Sequence, residues 1–227
     1  MPQASALTAG LPTAGVRTTQ KAAIVADSPI DLCFRITASG VPLDHGYALY
    51  SAIARVLPAI HEAKWLGVHP LTGLRIGREL RLTRGSRLRL RLPAGRIPEV
   101  LALAGKGLQV DDDLLRVGVP DVRALAPAAA LRARMVSIKG FEADGPFREA
   151  AQRQLDALGN KGQLTLGRRR VMRIKDKTIV GFQVMVSELT AEESLTLQER
   201  GLGGRRRMGC GIFVPVRAPR GLRPRKG

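Results

Sequence analysis

Apolar and polar positions recur along the chain with two periods, and the order in which those periods follow one another predicts the architecture. Ile30-Asp-Leu-Cys-Phe-Arg-Ile-Thr37 is β-branched and aromatic and ends at Ser39-Gly40, as a first strand does. Pro42-Leu-Asp-His-Gly46 then turns into a helix carrying Leu49, Ile53, Val56 and Leu57 at helical spacing. Asp44 is its expected N-cap and Pro58 its stop. A period of two returns in Leu74–Leu82 and Ser86–Leu92, which flank Thr83-Arg84-Gly85 and predict a hairpin. In the second run Leu88, Leu90 and Leu92 face one way and Arg87, Arg89 and Arg91 the other, giving a half-buried strand with a basic outer face. Pro98 opens and Gly105 closes a short helix, and Leu108 to Val119 returns as strand around the polar Asp111-Asp112-Asp113.

This β-α-β-β-α-β order is that of a ferredoxin-like unit. After Ala126-Pro-Ala-Ala-Ala130, which reads as a linker, the order repeats. Leu131–Lys139 is a strand, Phe147–Leu158 a helix, and Gln163–Ser187 two strands turning near Asp176-Lys177. Thr190-Ala-Glu-Glu193 is a capping box that opens a helix closed by Gly201, and Gly211–Val216 is the last strand. The prediction is an α+β fold of two tandem ferredoxin-like domains, 28–125 and 131–216. A loose N-terminal arm is expected over 1–27, and a basic disordered tail over 217–227.

Charge narrows the partner. The 227 residues carry 37 Lys and Arg against 19 Asp and Glu, a net +18, a field that favours a polyanion. Nucleic acid comes first and an anionic membrane surface second. Arginine outnumbers lysine, which suits bidentate phosphate contacts. No run of 18 apolar residues and no signal peptide is found, so a cytoplasmic protein without a membrane span is expected. Cys33 and Cys210 lack C-x-x-C spacing and read as buried thiols. No metal site or cofactor is expected. Adjacent carboxylates at Asp111-Asp112-Asp113 point in different directions, as in a turn, and His61 and His69 read as structural.

Two stretches concentrate candidate chemistry. In Gly201-Leu-Gly-Gly-Arg-Arg-Arg-Met-Gly-Cys-Gly211, five glycines surround Arg205, Arg206 and Arg207. Here Gly203, Gly204, Gly209 and Gly211 permit tight turns and close approach, and the arginines offer an anion-binding concavity. In Gly167–Lys177, the basic residues Arg168, Arg169, Arg170, Arg173, Lys175 and Lys177 lie towards the tip of a predicted hairpin that can track phosphates. Aromatic residues are few, which favours recognition of a structured RNA by backbone and shape over stacking on a long single strand. The row Arg87, Arg89, Arg91 is either a solvated face or a further RNA contact.

The glycine–arginine stretch, together with Leu43-Asp-His-Gly-Tyr-Ala-Leu-Tyr-Ser-Ala-Ile53, resembles the CRISPR repeat-processing endoribonucleases, the Cas-six family of the RAMP superfamily, in its MYXAN-type branch. The resemblance covers about Ile30 to Pro215. It implies cleavage of precursor CRISPR RNA within each repeat, without metal. It also implies CRISPR repeat RNA and guide RNA as partners, with further subunits of a type I, Cascade-like effector complex or a transposon-associated system beside them. By motif position it carries the catalytic histidine onto His45.

The residues support such chemistry independently. RNA supplies its own nucleophile, the 2′-hydroxyl, so the protein needs a base, an acid for the leaving 5′-oxygen, and cations for the phosphorane charge. The products are a 2′,3′-cyclic phosphate and a 5′-hydroxyl. His45 is the candidate base or acid. The helix dipole favours its neutral form and Asp44 its charged form, and the balance stays open. Tyr47 and Tyr50 are candidates to orient the ribose or donate to the phosphate, and Lys139 or an arginine to neutralise charge. Two alternatives stand beside this reading: a non-catalytic RAMP subunit that holds guide RNA, and a general basic RNA-binding protein.

Overall fold

The computed structural model of the protein describes residues 27–216. The arm expected over 1–27, but for its last residue, and the tail expected over 217–227 lie outside the described residues.

The first half runs β1 (Pro29–Thr37), β2 (Gly40–Pro42), α1 (Gly46–Val56), β3 (Gly67–Val68), β4 (Leu74–Ile76), β5 (Glu79–Arg81), β6 (Arg87–Pro93), α2 (Ile97–Val100), β7 (Gly107–Val110) and β8 (Asp113–Ala124). The second runs β9 (Leu131–Val136), α3 (Asp144–Ala157), β10 (Gln163–Ile174), β11 (Lys177–Ser187), α4 (Ala191–Arg200) and β12 (Phe213–Pro215). Two large antiparallel sheets result, in the orders β3-β6-β1-β8-β7 and β10-β11-β9-β12, with a third, small one in the order β2-β5-β4. Counting the strands of each repeated unit, both follow the 2-3-1-4 arrangement of the ferredoxin-like fold, with β7 added at the edge of the first.

Each unit has its own apolar interior. Leu49, Ala52 and Ile53 of α1 meet Leu32 and Phe34 of β1 and Leu88, Leu90 and Leu92 of β6 in one cluster. Phe147 of α3 and Phe182 of β11, with ring centroids 4.6 Å apart, centre the other. Burial of each such side chain contributes about 1.5–3 kcal/mol. Residues 30–34 of β1 are buried without alternation, because α1 covers one face of the sheet and the second unit covers the other. Among the described residues, no helix is long and apolar enough to cross a membrane.

Several local expectations hold. The capping box forms, with the Glu193 N–H donating to Thr190 Oγ1 and the Thr190 N–H to Glu193 Oε2. Cys33 and Cys210 are buried free thiols. Asp111 and Asp112 make the β7–β8 turn, Asp111 with a φ of 50°.

Three expectations are corrected. Leu74–Leu82 does not pair with Ser86–Leu92. It folds back on itself as β4 and β5 about Gly77, whose φ of 58° the turn requires, and β5 pairs with β2 in a separate small sheet. The place of β6's partner is taken by β3, only two residues long, too short to show alternation. Nor does Asp44 cap α1. His45 is the N-cap residue, without a side-chain cap, and the Asp44 carboxylate accepts the Arg173 N–H of β10. Last, Arg91 does not share an exposed row with Arg87 and Arg89. It is 2% exposed, because the second unit packs over its end of β6.

Candidate nucleic-acid interface

The contact between the units combines apolar packing, with Met208 against the first core, and a buried polar network that places the site. Arg91 donates through Nε and Nη2 to both oxygens of Asp31, at 2.8 and 3.1 Å, and through Nη1 to the carbonyls of Gln198 and Phe213 across the interface. His69 Nε2 donates to the same carboxylate at 3.1 Å. Burial alone would raise the Asp31 carboxyl, yet the hydrogen bonds and charges of His69 and Arg91 hold it well below the usual range. Burial carries His69 down to about 4 against the pull of Asp31, and the Arg91 and Arg89 charges add to the fall. His69 is therefore a structural residue of a buried network, as its turn-like surroundings suggest.

Beside this network, two grooves meet. One of about 360 Å³ runs between the units and is lined by Arg87 and Arg89 of β6, Arg132 and Arg134 of β9, Arg170 of β10 and the segment 69–72. No carboxylate is among its lining residues. The second, of about 420 Å³, is lined by His45, Asp44 and Gly46 at the start of α1, by Arg75 of β4, and by Met208, Gly209 and Cys210. Pro70, Arg134 and Arg170 line both, so the two adjoin. The Nε atoms of Arg87, Arg89 and Arg170 are buried without a hydrogen-bond partner. Arg134 is pushed below the usual guanidinium range by burial first and by the charge of Arg170 second. Guanidiniums crowded together with unused donors are costly alone and suited to phosphate oxygens.

His45 stands in the wall of the second groove, 1% exposed. Its Nδ1–H donates to the Pro42 carbonyl at 2.9 Å, and its Nε2 accepts the Leu71 N–H at 2.9 Å. The tautomer is thereby fixed. Its pKa lies below the ordinary imidazole value, through burial first and the Arg134 charge besides, while the Pro42 carbonyl and Asp44 pull upward. The balance left open by the sequence falls to the neutral ring.

The other three catalytic candidates are elsewhere. Tyr47 lines a separate depression with Ser51, Arg55 and Gln109. Tyr50 is 7% exposed, its hydroxyl sharing a 2.9 Å hydrogen bond with His61 Nδ1 and its ring covered by Arg207. Lys139 is exposed beyond the end of β9 and lines neither groove.

The basic hairpin is placed as expected. Arg168, Arg169, Arg173, Lys175 and Lys177 are exposed along β10 and its turn, while Arg170 reaches into both grooves. The glycine-rich loop is a different matter. The N–H groups of Gly203, Gly204 and Gly211 donate to Gln154 Oε1 and to the Ser137 and Met135 carbonyls, at 2.8–2.9 Å. A Cβ at Gly203 would lie 2.4 Å from the Ser137 carbonyl and one at Gly209 3.0 Å from Pro70, both at positive φ. The glycines thus let the loop press onto β9 and onto the first unit. Arg205 donates to Ser137 Oγ, Arg206 to the Glu199 carbonyl, and Arg207 to the Ile60 and His61 carbonyls. Gly46 answers on the other side: a Cβ there would lie 2.6 Å from the Met208 carbonyl. The loop closes directly over the start of α1.

Arg132, Arg134 and Arg75 are groove residues that the sequence reading passed over. The alternation Leu131-Arg-Ala-Arg-Met135 carries the signal, two arginines on one face of a strand whose other face is apolar.

The Cas6 Crispr family matches residues 30–218. A CRISPR-associated endonuclease Cas6 from Myxococcus xanthus is 43% identical over 186 residues, covering 82% of this chain and 81% of that protein. Among solved structures, a CRISPR associated protein Cas6 superposes with a TM-score of 0.60 at 16% identity, over 84% of this chain and all of the other. A Cas6-related protein from Pyrococcus furiosus gives 0.59 at 14%, over 83% and 99%. These two likenesses concern the fold. The chain belongs to the Cas6 family of CRISPR-associated endonucleases.

Proposed function

We propose that the protein binds a CRISPR repeat RNA along the adjoining grooves and cuts it beside His45, by attack of the RNA's own 2′-hydroxyl. Residues 28–125 present the histidine, and residues 131–216 supply the basic hairpin and the loop that closes over it. The reading rests on one observation above all: His45, Arg75, Arg134 and Arg170 line a single groove, which adjoins another lined by Arg87, Arg89 and Arg132. A phosphate drawn between Arg134 and Arg170 relieves their mutual repulsion and gains charge-assisted hydrogen bonds. The same two cations suit the charge that develops on the phosphorane, the role considered for Lys139. The exposed Arg168, Arg169, Arg173, Lys175 and Lys177 extend the track along the hairpin. Guide RNAs with a 5′-hydroxyl are the product.

The test is cleavage of a repeat RNA in the presence of chelator, with analysis of the ends. Cleavage that persists, leaves a 2′,3′-cyclic phosphate and a 5′-hydroxyl, and stops when the nucleotide before the cut is 2′-deoxy is the expected result. Cleavage of the deoxy RNA, or dependence on added metal, would refute the mechanism.

A second reading, a subunit that holds RNA without cutting, is favoured by the two backbone hydrogen bonds that occupy both His45 nitrogens. It predicts tight binding of the repeat RNA with no product at any protein concentration.

A further inference from the structure

The catalytic reading and the geometry of His45 conflict in one respect. With Nδ1–H given to Pro42, Nε2 holds the ring's lone pair, and the Leu71 N–H already occupies it. In that state Nε2 can accept no proton from a 2′-hydroxyl. Nor can it carry one for the leaving oxygen, since an imidazolium N–H would confront the Leu71 N–H. We propose that the Leu71 amide is a latch on His45, released when an RNA strand fills the groove between the two units. This rests on the reading of that groove as the RNA site.

The segment that carries the latch is built to respond. Residues 69–73 belong to no strand or helix. They are tied at both ends: the His69 N–H donates to the Arg89 carbonyl and the His69 ring to Asp31, and Ser86 Oγ donates to the Thr72 carbonyl. Between those ties, Pro70 and Leu71 form the wall of the arginine-lined groove, and Pro70 also borders the groove of His45. A strand held by Arg87, Arg89 and Arg170 therefore runs against this segment. Rotation of the Pro70–Leu71 peptide plane turns the N–H away from His45 while the Leu71 side chain, 2% exposed, keeps its place in the core. Freed of the amide, Nε2 faces a groove containing Asp44 from its own segment, Arg75 from β4, Arg134 from β9, Arg170 from β10 and the Cys210 thiol. Bound phosphates then offset the guanidinium charges that oppose protonation of the ring.

The chain's three histidines make the latch observable. Full-length protein with ring-15N histidine is titrated free and saturated with a repeat RNA that is 2′-deoxy at the cut, and His61→Gln assists the assignment. In the free protein, His45 Nε2 should show the 15N shift of a hydrogen-bonded acceptor and a titration midpoint below 6.5. With RNA the acceptor signature should be lost and the midpoint should rise towards the ordinary imidazole value. Leu71→Pro, which has no N–H to donate, should show the RNA-bound signature already when free. If that variant does not fold, the wild-type titration decides. An Nε2 shift and midpoint unchanged by saturating RNA would overturn the latch. Failure of the catalytic reading looks different: His45→Ala cutting at the wild-type rate, whatever the ring does on binding.

Discussion

Two groups of arginines that look alike in the sequence meet opposite fates in the fold. Arg205, Arg206 and Arg207, in the stretch most suggestive of a phosphate cradle, give their donors to Ser137, Glu199, Ile60 and His61, and so fasten the glycine-rich loop to both units. Arg206 is held deep enough that burial, with the Arg91 charge, brings it down to about 10. Arg87, Arg89 and Arg170 line open grooves, Arg87 giving Nη1 to the nearby Arg84 and Ser86 carbonyls and Arg89 standing 4.0 Å from Asp31, while the Nε donors of all three, like that of Arg206, have no protein partner. A guanidinium that ties distant segments together builds the site, and one that lines an open groove is free to meet an anion. Arg91 is the extreme of the first kind, and its neighbour two residues away, Arg89, belongs to the second.

The largest effect expected from this contrast is on stability. Arg91→Met leaves Asp31 buried without its bidentate partner and strips donors from Gln198 and Phe213. Breaking such a pair from one side costs about 3–5 kcal/mol, readable as a fall in the denaturant midpoint. An unchanged midpoint would show that Arg91 does not join the units. The joint replacement Arg87→Gln, Arg89→Gln, Arg170→Gln should leave the midpoint near wild type. It should weaken repeat-RNA binding about a hundredfold, roughly 3 kcal/mol, and lower the salt slope of log K by about 2. Equal loss of stability and affinity would erase the distinction between the two groups.

Acid probes the first group again. His69 has a folded pKa of about 4 against an ordinary 6.5, so the unfolded chain binds its proton more readily. The stability this contributes is complete above pH 6.5 and lost as the pH falls towards 4, by about 1–3 kcal/mol. Asp31, lowered from 3.8, acts in the same sense further down, its contribution present above 3.8 and lost below. Unfolding free energies measured between pH 8 and 4 should show the decline, and His69→Gln should flatten its upper part. The smallest effect is that of Arg207→Ala, which loses two carbonyl contacts and the face of Tyr50. It should cost about 1–2 kcal/mol of stability with RNA affinity changed less than about twofold. A large loss of affinity there would return the loop to the role of phosphate cradle.

The fold was legible wherever burial follows from local period. Leu88, Leu90 and Leu92 announce β6, the Leu49 and Ile53 spacing announces α1, and Thr190 with Glu193 marks the start of α4 to the residue. What stayed hidden depends on partners far along the chain. Arg91 looks like its neighbours until Asp31, Gln198 and Phe213 are folded around it, and Asp44 looks like a helix cap until Arg173 arrives from the other unit. His45 was found by its place in a motif before a helix. Its hydrogen bond to Leu71, 26 residues on, leaves no mark in the sequence. The glycine-rich stretch stands out by composition, but the close approach of its glycines to Ser137, Pro70 and Leu202 depends on segments far along the chain.

The central claim is that His45 does the chemistry in a groove whose arginines hold the RNA. Its most direct test is the single-turnover cleavage rate of saturating repeat RNA by His45→Ala. Loss of a general acid or base should slow the step by about 10²–10⁴-fold with RNA affinity unchanged. Cleavage at the wild-type rate would contradict the account.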